Sequence, residues 1–289
     1  MSAVETAARP RTEVGEGPLW DERAGVLWWV DIKRPAILRF DPRSGAVDRW
    51  PMPERVGFLA LRRDQPGFVA GLKSGLALVT LDGAAARIAP LAAYAPAGED
   101  DRINDGTVDP AGRLWFGTMD DGEARPTGWL HRFAAGGAPE RCDGPYVVTN
   151  GPAISAAGDR LYHVDTFGRA IWRFALAADG TLAGKTLFTR FEDPAWGFPD
   201  GVVCDAADHL WVAHWGGGRV TRFTPAGAVE RTIALPTPQI TKCAFGGPDL
   251  TTLYVTSAAI GRSDEDREAG ALFRVASDVA GLAPHRFAG

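Results

Sequence analysis

Short aromatic and aliphatic runs recur along the chain, each entered through a turn: GVLWWVD (25–31), GFVAGL (67–72), GRLWFGT (112–118), DRLYHVD (159–165), HLWVAH (209–214) and TLYVTS (252–257). Counted from Leu27, Gly67, Leu114, Leu161, Leu210 and Leu253, the steps are 40, 47, 47, 49 and 43 residues. Each run reads as a strand, and most are followed by a second strand-like segment, such as AILRFDPRSG, GWLHRFAAGG or RVTRFTPAG, that ends in Gly or Asp-Gly turn residues. Almost nothing carries the period of a long amphipathic helix. Six units of about four strands predict an all-β chain, a six-bladed β-propeller over residues 1–289 as a single domain. A β-sandwich or two smaller barrels is the alternative, and the regular spacing argues against it. The aromatic run of each unit is expected to be a buried middle strand. Closing the ring needs both chain ends in one blade, and the segment around Thr12–Val14 is the expected closing strand.

The repeat also sets a phase for polar residues. Glu16, Asn150 and Lys242 lie eleven residues before the reference Leu of their units, and Asn104 and Asp200 lie ten before theirs. The second unit offers only apolar VGFLA around Gly57. In a propeller, the residue opening each innermost strand faces the central channel, so these positions converge on one mouth. A lone Pro-Asp-Gly such as Pro199–Gly201 reads as a turn; five polar residues in phase read as a site. Glu16, Asn150 and Asp200 are all oxygen donors. Two carboxylates balance a divalent cation and an amide oxygen adds a neutral ligand, a set suited to Ca, Mg or Mn and able to hold Fe(II) or Zn. So few protein ligands leave positions for water or substrate, as at a catalytic metal site.

Composition narrows the rest. A net charge of −5 offers no field for nucleic acid or an anionic membrane. Cys142, Cys204 and Cys243 are odd in number and widely spaced, which predicts reduced core thiols. The N-terminus MSAVETAARPRTEV has no apolar core of a signal peptide, so a cytoplasmic protein is expected, and separately a monomer. There is no G-x-S-x-G, and HWGGGR (214–219) lacks the G-K-[ST] of a phosphate loop, so it reads as a turn. Trp196, Phe198 and Trp215, with Phe58 from the second unit, are candidate pocket walls.

The motifs GEGPLW, RINDGTVDPAGRLWFGTM, TNGPAIS, FPDGVVCD, HLWVAHWGGGRVTRF and ITKCAFGGPDLTTLYVTSA, in this order from about Val14 to Phe273, resemble the family of senescence marker protein, regucalcin and gluconolactonase. The GTMDDGE and WGGG details resemble its bacterial pentonolactonases, xylonolactonase and arabinolactonase among them. The resemblance implies a six-bladed propeller with one divalent metal in its channel, hydrolysing sugar lactones. It places metal ligands on Glu16, Asn150 and Asp200, and substrate contacts on Arg102 and Asn104. A further substrate-contacting Glu falls on Glu123, where the loop spacing departs from the regucalcin pattern by one residue. The expected reaction is hydrolysis of an aldono-lactone, a pentonolactone, to the aldonic acid, with Asp200 as general base and Lys242 toward the substrate. A metal-dependent hydrolase of other esters and a non-catalytic calcium-binding propeller are the alternatives.

Overall fold

The inner two strands of each repeat are buried almost throughout, while the fourth is mixed, and this gradient is what a radial stack of sheets requires. A computed structural model of the chain describes residues 3–289. Its described residues form six four-stranded antiparallel sheets. The innermost strands are Gly15–Asp21, Val56–Leu61, Asp101–Val108, Thr149–Ile154, Phe198–Cys204 and Ile240–Gly246, one for each of blades 1 to 6. Each inner strand lies against those of the neighbouring blades, and blade 6 meets blade 1, so the ring closes around a channel. The architecture is the six-bladed β-propeller that the repeat predicts.

The aromatic runs are the second strands: Val26–Asp31, Phe68–Leu72, Leu114–Asp120, Arg160–Asp165, Leu210–Trp215 and Thr252–Ser257. They are covered on both faces by adjacent blades and are buried along nearly their whole length. Outer strands such as Val47–Pro51 and Val229–Ala234 are mostly exposed or half-buried, because blades splay apart with distance from the axis. The apolar core is correspondingly divided among the blade interfaces. Trp28, Trp50 and Phe68 fill the one between blades 1 and 2; Trp211, Phe245 and Phe273 fill the one between blades 5 and 6. Two blades reuse one turn device. Asp109 and Asp205 each accept the indole N–H of a Trp six residues on, Trp115 and Trp211, both at 2.9 Å, pinning the inner strand to the second.

The closing strand is not where the sequence placed it. Val4–Ala8, rather than Thr12–Val14, forms the outermost strand of blade 6, with Val4 opposite Val275 and Thr6 opposite Phe273. Thr12 instead anchors the connection inward, its hydroxyl donating to the Gly270 carbonyl at 3.0 Å. At the far end of the channel the C-terminal segment crosses from blades 5 and 6, where Ala206 N–H donates to Ala280 O at 3.0 Å, to blades 2 and 3, where Phe287 N–H donates to Leu61 O at 2.8 Å. Phe287 is fully buried and stacks on Phe133. No described helix is long and apolar enough to cross a membrane. Cys204 and Cys243 are buried, whereas Cys142 is exposed on an outer strand and is not a core thiol.

Candidate metal centre and substrate cavity

A strand in regular pleat presents every second side chain to one face, so adjacent residues cannot both face the channel. Here the ladder slips at the channel end of the inner strands: between Glu16 and Leu19, Ile103 and Gly106, Asn150 and Ala153, and Pro199 and Val202. Such bulges re-aim side chains. Gly17 at φ 59° and Gly151 at φ 70° follow Glu16 and Asn150, and supply the left-handed backbone that these slips need. The polar residues that the repeat phase singles out therefore sit on irregularities built into otherwise rigid strands.

Four charged groups meet on the channel floor. Glu16, Asp105, Asp200 and Lys242 are all buried. Lys242 Nζ donates to both oxygens of Asp105, at 2.5 and 2.6 Å. Its methylenes fill the space over Gly201, where a Cβ would come within 2.4 Å of Lys242 Cγ. Three carboxylates against one ammonium leave two negative charges uncompensated when all are ionised. Burial, then Asp105, pushes Glu16 up to about 8, with Lys242 opposing. Burial, then Glu16 and Asp105, raises Asp200 well above the usual carboxylate range. Burial pulls Lys242 down, but Asp105 and Glu16 outweigh it and leave the ammonium favoured. Glu16 Oε2 accepts from Gly17 N–H at 2.5 Å, while Oε1 is buried without a partner. A surplus of two charges, an orphaned carboxylate oxygen and an adjacent amide are a set that fits one divalent cation. Among the described residues no three of His, Cys, Asp and Glu gather as a metal cluster, and the amide of Asn150 lines the same cavity as Glu16 and Asp200.

Above this floor lies a cavity of about 320 Å³ lined by Glu16, Arg102, Asn104, Glu123, Asn150 and Asp200 among others. A hydrogen-bonded chain runs down its wall. Arg102 Nε donates to Asp121 at 2.8 Å and Nη1 to Asn104 Oδ1 at 2.6 Å. Asn104 Nδ2 donates to Thr149 O at 2.7 Å and to Asn150 Oδ1 at 3.0 Å, and Asn150 Nδ2 donates to Thr166 Oγ1 at 2.9 Å. With Nδ2 held by Thr166, the Asn150 amide is fixed with its oxygen toward the channel. These contacts leave Arg102 Nη2 for a ligand.

Six of the seven residues singled out from the sequence thus line one cavity, and Lys242 lies outside its lining, committed to Asp105. Of the expected walls, Trp215 lines the cavity; Trp196 packs on Phe191 and His214, and Phe198 on Phe167. Phe58 points the other way, into a second channel cavity of about 120 Å³ that Leu282–His285 close at the far end. Asp105, Asp121, Lys33 and Thr166 were missed. Asp105 adjoins Asn104 in RINDG, and only the bulge allows both to face inward.

Residues 14–259 match the family described as SMP-30/Gluconolactonase/LRE-like region. The chain is 38% identical over 291 residues to the 6-deoxy-6-sulfogluconolactonase of Pseudomonas putida, with 99% of each chain covered. It is 36% identical over 290 residues to the L-arabinolactonase of Azospirillum brasilense, covering 98% of this chain and 94% of that one. Among solved structures it is similar to the calcium-binding protein regucalcin of Agrobacterium tumefaciens, with TM-score 0.91 at 28% identity over 99% of this chain and 97% of that one.

Proposed function

Because the chain belongs to the SMP-30/gluconolactonase/LRE-like family, we propose that it hydrolyses a sugar lactone to the aldonic acid at the cavity above Glu16, Asn150 and Asp200. Relatives that act on a sulfogluconolactone and on L-arabinolactone support the reaction class. The observation that carries the reading is the buried surplus of negative charge on the floor, with Glu16 Oε1 unpartnered. Glu16, Asp200 and Asn150 would hold one divalent cation, Ca, Zn, Mn, Mg or Fe(II), as the regucalcin likeness also suggests for calcium. When bound, that cation supplies Lewis-acid polarisation of the lactone carbonyl and acidifies water.

The chain's own groups then have distinct tasks. Asp200 is the base for the attacking water, since a buried carboxylate of raised proton affinity accepts a proton near neutrality better than an exposed one. Asn104 holds the Asn150 amide, and Arg102 turns its remaining N–H groups to sugar oxygens. Lys242 neutralises Asp105 rather than meeting substrate. Glu123 lines the cavity and faces the sugar from the mouth. Water adds to the acyl carbon, the ring C–O bond breaks, and the aldonic acid releases a proton.

That proton makes the test direct. Acid release from glucono- and arabinono-lactones is followed at constant pH in protein stripped with a chelator, then reloaded with each cation in turn. Turnover is expected to vanish on stripping and return with at least one cation. Undiminished turnover by the fully stripped protein would sink the reading.

A further inference from the structure

The cavity is lopsided in charge above its floor. Lys33, Arg55 and Arg102 converge on a single carboxylate, Asp121: Arg102 Nε at 2.8 Å, Lys33 Nζ at 3.4 Å, and Arg55 in direct ion pair. Of this group Lys33 and Arg102 line the cavity with Glu123, while Arg55 and Asp121 stand beside them, so the cluster sets three cations against two carboxylates. The neighbouring acids are engaged elsewhere. Asp120 is held by Arg125 at 2.7 Å, Asp100 by Lys73 at 3.6 Å, and Asp101 by the Thr127 hydroxyl at 2.5 Å and by backbone N–H groups. Crowded cations repel each other: burial first, then Arg102 and Arg55, lowers Lys33 to about 8. The floor does not cancel the surplus, because Lys242 and a divalent cation together balance Glu16, Asp105 and Asp200. The opposite wall is apolar, with Phe167, Trp215 and Ile260. Phe167 is 44% exposed, a large apolar ring left open beside the cavity.

A neutral polyol would not account for this asymmetry. Sugar hydroxyls are matched by amides and single carboxylates, whereas Lys33, Arg55 and Arg102 leave one positive charge over Asp121 and Glu123, which a bound anion balances. We propose that the lactone taken by this site carries an oxyanion, a phosphate or sulfonate, on the arm remote from the ring carbonyl, seated against Lys33, Arg55 and Arg102, with a C–H face of the ring on Phe167 and Trp215. The inference rests on the lactonase reading and fixes the charge of the substrate, which that reading leaves open. Arg55 and Arg102 offer forks of N–H donors for such a group, and Lys33 adds a point charge.

The test compares kcat/KM for D-glucono-1,5-lactone, its 6-phosphate and its 6-deoxy-6-sulfonate with metal-loaded protein. At least a tenfold preference for one charged lactone is expected, with phosphate and sulfonate arms telling which oxyanion fits. That preference should fall at least fivefold in Lys33→Met and in Arg55→Met, and shrink as salt is raised; melting curves check that both variants are folded. Equal or faster turnover of the uncharged lactone overturns the proposal and leaves the lactonase reading intact. If no lactone is hydrolysed, that reading fails, and the charge preference is decided by calorimetry of 6-phosphogluconate against gluconate. Tighter binding of the phosphate by tenfold, lost in Lys33→Met, supports it, and equal affinities overturn it.

Discussion

On the proposed reading, Glu16 and Asp200 would act against stability until a cation binds. With Asp105 they put three carboxylates around one ammonium, in a place where water is largely excluded. Glu16→Gln or Asp200→Asn removes one of those charges while keeping the shape. Metal-free variants should therefore melt no lower than metal-free wild type, although a buried polar group has been altered. The rise in melting temperature on adding the cation should shrink in both, because stabilisation by a ligand follows its affinity. Turnover should drop at least about 100-fold, the scale of losing a positioned base or a metal ligand. Melting with and without chelator, measured beside turnover, checks all three. A variant that keeps the full metal-induced rise would remove that residue from the ligand set. At this scale Glu16, Asn150 and Asp200 were legible because the repeat gave them a common phase. Asp121 and Lys33 were not, since they stand on turns outside the innermost strands, where no repeat position constrains what they face.

Blade strands carry a liability of their own in their histidines. His131, His163 and His214 lie on the strands Gly128–Phe133, Arg160–Asp165 and Leu210–Trp215, and all three are buried. Burial lowers each to about 4. The folded chain thus keeps them neutral between about pH 6.5 and 4, while the unfolded chain binds a proton at each. More protons on the unfolded side mean that stability rises with pH across this window. It is complete above 6.5 and is lost as pH falls toward 4, by at most about 1.4 kcal/mol per pH unit for each ring. His163 is the cleanest test, because neither ring nitrogen has a hydrogen-bond partner. His163→Leu should flatten the fall in stability between pH 7 and 5, read from urea midpoints at the two values. An unchanged difference would mean that His163 is protonated in the folded protein. Element boundaries followed the sequence well for second strands, whose burial on both faces writes an unbroken apolar run. The bulges were hidden, because a one-residue slip leaves no mark beyond a Gly that also suits a simple turn.

The whole ring depends on how its ends are joined. Blade 6 takes three strands from the C-terminal part of the chain and its outermost strand, Val4–Ala8, from the N-terminus. The period revealed six blades, yet VETAA resembles no other strand of the repeat: outer strands are only half covered and need no aromatic pattern. Its attachment is nonetheless specific. Val4 packs against the apolar cluster between blades 5 and 6, the Thr6 hydroxyl donates to Glu268 at 2.8 Å, and Arg9 pairs with Glu268 at 2.6 Å. Deleting residues 1–8 would bare the backbone edge of Leu272–Ala276 and uncover part of that cluster. Loss of the ladder and of one partly buried Val amounts to about 2–3 kcal/mol, since exposed ion pairs add little. For a chain of this size that corresponds to a melting temperature lower by about 3–5 °C. The proposed metal ligands stand on inner strands of blades 1, 4 and 5, so kcat/KM at 25 °C should stay within about threefold of wild type, the room a weak distant coupling leaves. Calorimetric melting and lactone turnover on the same sample separate the outcomes. An unchanged melting temperature would show that this strand does not secure the ring, and lost turnover in a folded, metal-replete truncation would show that closure reaches the cavity itself.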